Sequence, residues 1–97
     1  MVTYIVLLNF TEQGIRNVKQ TIDRAKAFEG LVKKHGGTTK SIYWTQGSYD
    51  VVATIDAPDE ERGLAILFTL GSLGNMRSQT LRAYTAQEME KIITRMG

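Results

Sequence analysis

Residues 45–52 read TQGSYDVV, and Gly47, Tyr49 and Asp50 within them are the residues with chemistry to offer. An aspartate at the rim of a pocket can receive a ligand amine, or take up a proton as a general base. A tyrosine beside it supplies a ring face and a hydroxyl. The same three residues also suit a plain connection between two strands. Glycine permits positive φ, and aspartate accepts the backbone N–H groups of a turn. The two readings differ in what Asp50 faces: its own turn, or a ligand.

Elsewhere the chemistry thins out. His35 is the only histidine; it follows Lys33 and Lys34 and precedes Gly36 and Gly37. Positive charge there complements a helix C-terminus. No carboxylate–histidine spacing gives it metal partners, and so placed it cannot serve a Ser-His-Asp set. With no cysteine in the chain, disulfides, thiolate metal sites and cysteine nucleophiles are excluded. The expectation is no metal and no cofactor. GSLGN at 71–75 has the glycines of a phosphate loop, but it follows a helix instead of opening one. Arg77 and Arg82 fall on opposite faces of a strand and cannot clamp one anion; each reads as paired surface charge.

Twelve basic and ten acidic residues give a net charge of +2. They are scattered, with no stripe of Lys and Arg interleaved with aromatics, so a nucleic-acid partner is not expected. No stretch approaches the ~18 apolar residues of a membrane span. The N-terminus enters a strand almost at once, without a secretory pattern, and a cytoplasmic protein is expected.

These residues need elements to position them. VTYIVLLNF reads as a strand buried on both faces, with Tyr4, Val6 and Leu8 on one side and Ile5 and Leu7 on the other. Ile15, Val18, Ile22, Ala25, Phe28 and Val32 recur at helical steps, with Thr11 as N-cap and Gly36 and Gly37 after the end. TTKSIYWT alternates, placing Ile42 and Trp44 on one face and Tyr43 on the other. One of these aromatics then packs under the helices. DVVATID is apolar on both faces. Pro58 and three acids open a second helix, with Leu64, Leu67 and Phe68 as its buried stripe and Gly71 and Gly74 as its stop. NMRSQTLRAY reads as a more polar strand. TAQEMEKIITRM reads as a terminal helix with a Thr85–Glu88 capping box and an apolar face of Met89, Ile92, Ile93 and Met96.

The order is β-α-β-β-α-β plus a helix, one domain over residues 1–97. It predicts an α+β, ferredoxin-like fold: two helices on one face of a four-stranded antiparallel sheet, with the first and third strands in the middle. The other face is then bare although its strands carry apolar residues there. About five such side chains are worth on the order of 10 kcal/mol gross when buried. A second copy packed sheet to sheet is the expected cover, as a homodimer or a ring of dimers.

Three blocks, YIVLLNFTEQGIRN, IYWTQGSYDVV and LGSLGNMRSQTLRAYT, resemble the GYD domain family, named for the Gly-x-Tyr-Asp seen here as Gly47, Tyr49 and Asp50. The resemblance runs from Tyr4 to about Glu88. It implies a dimeric α+β barrel, in a family without an assigned biochemical activity. Family members often carry proline where this chain has Ile22, which implies a more continuous helix start here. The chain is also more loosely similar to the effector domain of leucine-responsive/AsnC regulators, without their DNA-binding helix-turn-helix. That similarity implies a small, amino-acid-like ligand near Gly47, Tyr49 and Asp50, with Ser78 and Thr80 of the last strand as further contacts. The expected function is a homo-oligomeric small-molecule-binding module. A small cofactor-independent oxygenase or isomerase with Asp50 as base, and a purely structural oligomer, are the alternatives.

Overall fold

The computed structural model describes all 97 residues, Met1–Gly97. Strand β1 (Val2–Phe10) leads into a short helix α1 (Glu12–Arg16), a 3₁₀ turn (Val18–Gln20) and the long helix α2 (Thr21–Lys34). Strands β2 (Thr38–Trp44) and β3 (Val51–Ala57) follow, then helix α3 (Glu60–Ser72), strand β4 (Met76–Ala83) and helix α4 (Ala86–Arg95). The four strands form one antiparallel sheet in the order β2-β3-β1-β4. This is the expected ferredoxin-like order, with the doubly apolar strands central and polar β4 at an edge.

Side-chain alternation sorts the sheet into two faces. Val6, Leu8, Val51, Ala53, Ile55, Phe28, Val32, Ile66 and Leu67 form one core cluster. The helices therefore cover the face carrying the even residues of β1 and the odd residues of β3. Only twelve residues are buried, and the molecule measures 52 × 30 × 18 Å. Eighteen ångströms is one sheet plus one helix layer, so nothing covers the second face. Ile5 and Leu7 lie there, paired with Thr54 and Val52 of β3 and with Leu81 and Gln79 of β4. Tyr43, opposite Val52, is 67% exposed. Helix α4 has the expected capping box, but none of its residues is buried.

Three expectations need correction. The first helix is not one continuous element, although Ile22 replaces the family's proline. It breaks at Asn17, whose side-chain amide donates to the Gln13 carbonyl and competes with the helical ladder. Ile15 and Ile22 consequently leave the stripe and are exposed. In α3 the buried residues are Gly63, Ile66 and Leu67, whereas Leu64 and Phe68 are exposed. The helix is rotated so that Gly63 meets the Tyr4 ring, where an added Cβ would lie 2.6 Å from a ring carbon. Arg82 is paired as expected, its Nε 4.0 Å from Glu60 Oε1, but it is more than surface charge. It is half-buried, stacks 4.5 Å from the Tyr84 ring and donates to the carbonyls of Thr3 and Ala83.

Helix α1 has a separate task. Thr11 caps it by accepting from Gly14 N, while its hydroxyl donates to Gly74 O and its backbone N–H donates to Asn75 O at 3.0 Å. In GSLGN, Gly71 and Ser72 therefore still belong to α3, and residues 73–75 form a loop docked on α1.

Candidate functional site

The Gly-x-Tyr-Asp turn joins β2 to β3 and is held from within. Thr45 N donates to Asp50 O at 2.8 Å, and the Thr45 hydroxyl donates to Tyr49 O at 2.6 Å. Gly47 takes a φ of +104°, in the region that favours glycine, with open space around it. Gly47 thus fills the turn role read from the sequence.

Asp50 does something the local sequence does not show. Its carboxylate does not close an Asx turn. Oδ2 instead accepts from the backbone N–H of Phe10 at 2.9 Å, forty positions away along the chain. Its own N–H donates to Leu8 O at 2.9 Å. Leu8 and Val51 are the last paired residues of β1 and β3. Asp50 thus extends that ladder by one backbone bond and then ties down the end of β1 with its side chain. Phe10 N–H would otherwise lack a partner where β1 outruns β3.

Tyr49 turns to the uncovered face. Its hydroxyl donates to Gln79 Oε1 at 2.7 Å. Gln79 sits on β4 opposite Leu7, so the tyrosine reaches across β1 from one neighbouring strand to the other. Ser78 and Thr80 pair with Leu8 and Val6 and so face the helix side. The turn therefore gathers Gly47, Tyr49 and Asp50. It brings Tyr49 to Gln79, while Ser78 and Thr80 lie on the other side of β4.

On the helix side, at the same end of the sheet, an apolar cleft of about 60 Å³ opens between α2 and the strands. Leu8 and Phe10 come from β1, Val51 from β3, Trp44 from β2, Phe28 from α2 and Met76 from β4. The only polar residues lining it are Thr21 and Arg24. A second cavity of about 200 Å³ shares Arg24, Phe28, Leu70 and Met76 with the first. Trp44, on the helix face of β2, is 45% exposed, and its indole N–H donates to the Thr21 hydroxyl at 3.0 Å. It is a wall of the cleft rather than core.

Sequence reasoning missed this cleft. Thr21, Arg24 and Phe28 recur at steps of three and four, and that spacing places them on one face of α2. Nothing in the sequence says that the sheet end opposite them stays unfilled. His35 is the C-cap residue of α2, and no three His, Asp or Glu side chains come together within reach of one metal ion.

One helix layer on a four-stranded antiparallel sheet, with a side-chain clamp where β3 begins, defines a ferredoxin-like α+β domain. The chain belongs to the GYD domain family, whose model matches residues 4–93. The fold is also similar to that in the crystal structure of TTHA0845 from Thermus thermophilus. The TM-score is 0.56 at 24% sequence identity, covering 89% of this chain and 96% of that one. No curated protein matches the sequence.

Proposed function

We propose that the chain is a small-molecule-binding module that works as a homo-oligomer, with its ligand in the cleft beside the Gly-x-Tyr-Asp turn. The observation that carries this reading is the Asp50 carboxylate on Phe10 N at 2.9 Å. It ties the motif to a residue of the cleft wall. Trp44 and Val51, at the two ends of the same connection, are also wall residues. The motif thus shapes the site through Phe10, Trp44 and Val51, while Asp50 itself is not among the lining residues. Binding without turnover fits the lining, because neither Thr21 nor Arg24 is a ready general base.

The oligomer is supported by the uncovered face. Ile5, Leu7, Val52, Tyr43 and Leu81 lie on it, with Tyr43 and Leu81 67% and 43% exposed. Their burial against a second copy is worth on the order of 10 kcal/mol gross, before an association cost of ~4–15 kcal/mol. Counted over both copies the gross gain is roughly twice that, which exceeds the association cost when packing is close. The exposed row Met89, Ile92 and Ile93 of α4, with Met96 at its C-cap, adds apolar surface for the same partner.

A thermal-shift screen against a metabolite panel, with turnover followed in parallel, tests the binding reading. Ala25 lines the cleft and is half-buried. Ala25→Leu should fill the space and abolish the ligand-induced shift, at a stability cost of no more than ~1–3 kcal/mol. An unchanged shift in Ala25→Leu would place the ligand elsewhere. Turnover of a panel compound would replace the binding reading by an enzymatic one.

A further inference from the structure

We infer that the cleft takes a small monocarboxylic acid with an apolar tail, held by Arg24 and Thr21; this rests on the cleft being a ligand site. Arg24 is half-buried and lines both cavities. Its guanidinium has five N–H donors and no acceptor. Two contacts are made, both to neutral groups: Nη2 to Gln20 Oε1 at 3.1 Å, and Nη1 to Asn17 O at 3.5 Å. No carboxylate lies within ion-pair distance of it; several surface cations share that lack, but Arg24 alone among them lines both cavities. A partly desolvated cation on an apolar wall favours an anion beside it.

Thr21 stands one helical turn before Arg24. Its Oγ1 accepts the indole N–H of Trp44. The hydroxyl's own hydrogen has no protein acceptor and is left to donate. Two donors, one of them charged, therefore flank the otherwise apolar lining of the first cavity, while Thr69 and Asn75 are further polar residues of the second. Neither cavity is lined by Asp or Glu. An ammonium would find no counter-ion there, so an amine or a zwitterionic amino acid is disfavoured relative to a plain acid. One arginine balances the single charge of a carboxylate, whereas a phosphate dianion would leave a second charge unpaired in the cleft. The apolar lining receives the tail. The first cavity has room for about four or five water-sized groups, and the second extends it past Phe28 and Met76. The ligand is thus a short-chain or single-ring acid.

Trp44 is the only tryptophan, so its indole N–H resonance and fluorescence report on the site directly. The test titrates the full chain with sodium hexanoate, hexanamide, hexylamine and norleucine. Hexanoate should move the indole signal saturably and bind at least tenfold more tightly than the other three. Arg24→Gln should lose at least tenfold in hexanoate affinity and weaken hexanamide far less, since only the carboxylate loses a charge-assisted bond. Arg24 contacts only neutral groups, so this variant keeps the fold, which circular dichroism verifies. Thr21→Val gives a second, milder loss. Equal binding of hexanoate and hexanamide, or no effect of Arg24→Gln on hexanoate, overturns the carboxylate assignment and leaves a neutral-ligand cleft. Tighter binding of hexylamine or norleucine overturns it in favour of a cation. No saturable change with any of the four probes removes the cleft as a ligand site, and the assignment with it.

Discussion

Asp50→Ala removes the acceptor that holds Phe10 N–H and leaves the backbone bonds of the turn in place. A hydrogen bond from a backbone N–H to a carboxylate contributes about 1.5–3 kcal/mol. Phe10 is half-buried, so water replaces part of the loss and ~2 kcal/mol is the expected cost. For a chain of 97 residues, each kcal/mol moves the midpoint by about 5 °C, giving a fall of ~10 °C. Asp50→Asn keeps an acceptor oxygen near the same place. It should cost about 1 kcal/mol, or ~5 °C. Thermal unfolding by circular dichroism reads both, and amide exchange at Phe10 reads the bond itself. Protection of that amide should collapse in Asp50→Ala and persist partly in Asp50→Asn. If both variants melt within ~2 °C of the parent, the clamp contributes nothing and the account of the motif fails. If Asp50→Asn instead weakens a ligand about tenfold at unchanged stability, Asp50 touches the ligand rather than the wall.

Other expectations follow from different parts of the molecule. Leu7→Asp places a charge in the middle of the uncovered face. Sedimentation should show loss of the dimer without loss of the monomer fold, whereas a parent chain that is monomeric at micromolar concentration would end the oligomer reading. Gly14 is buried, and a Cβ there would lie 2.0 Å from Asn75 O. Gly14→Ala should therefore cost ~1–3 kcal/mol in chemical denaturation, by forcing α1 off the 73–75 loop. Glu88 in the capping box has its carboxyl held below the usual range, chiefly by the backbone N–H of Thr85. A lowered folded-state value means the stabilisation is present above the unfolded value, about 4.3, and is lost as pH falls through the folded one. Helicity of α4 should thus fall on acidification below about pH 4, and Glu88→Gln should flatten that dependence.

What the sequence determined by itself is what short-range physics decides. Thr11 and Thr85 cap helices because their acceptors and donors lie within three residues, and the structure has both bonds. Gly47 takes positive φ because the tight turn needs a left-handed backbone there, which glycine adopts without strain. Two-residue alternation assigned Val6 and Leu8 to one face and Ile5 and Leu7 to the other, and strand order followed from which strands were apolar on both sides. The uncovered face was legible for the same reason: two helices can cover only one side of the sheet.

Only the tertiary structure decided the rest. Asp50 finds Phe10, and Tyr49 finds Gln79, because β1 lies between β3 and β4. No spacing in the sequence encodes a partner thirty or forty positions away. The rotation of α3 that exposes Phe68 depends on the glycine face meeting Tyr4, a matter of shape rather than of period. The cleft between Trp44, Phe28 and Arg24 is likewise a packing remainder. Hydrophobic periodicity says which side chains turn inward, and the volume they leave unfilled is fixed only when the helices dock.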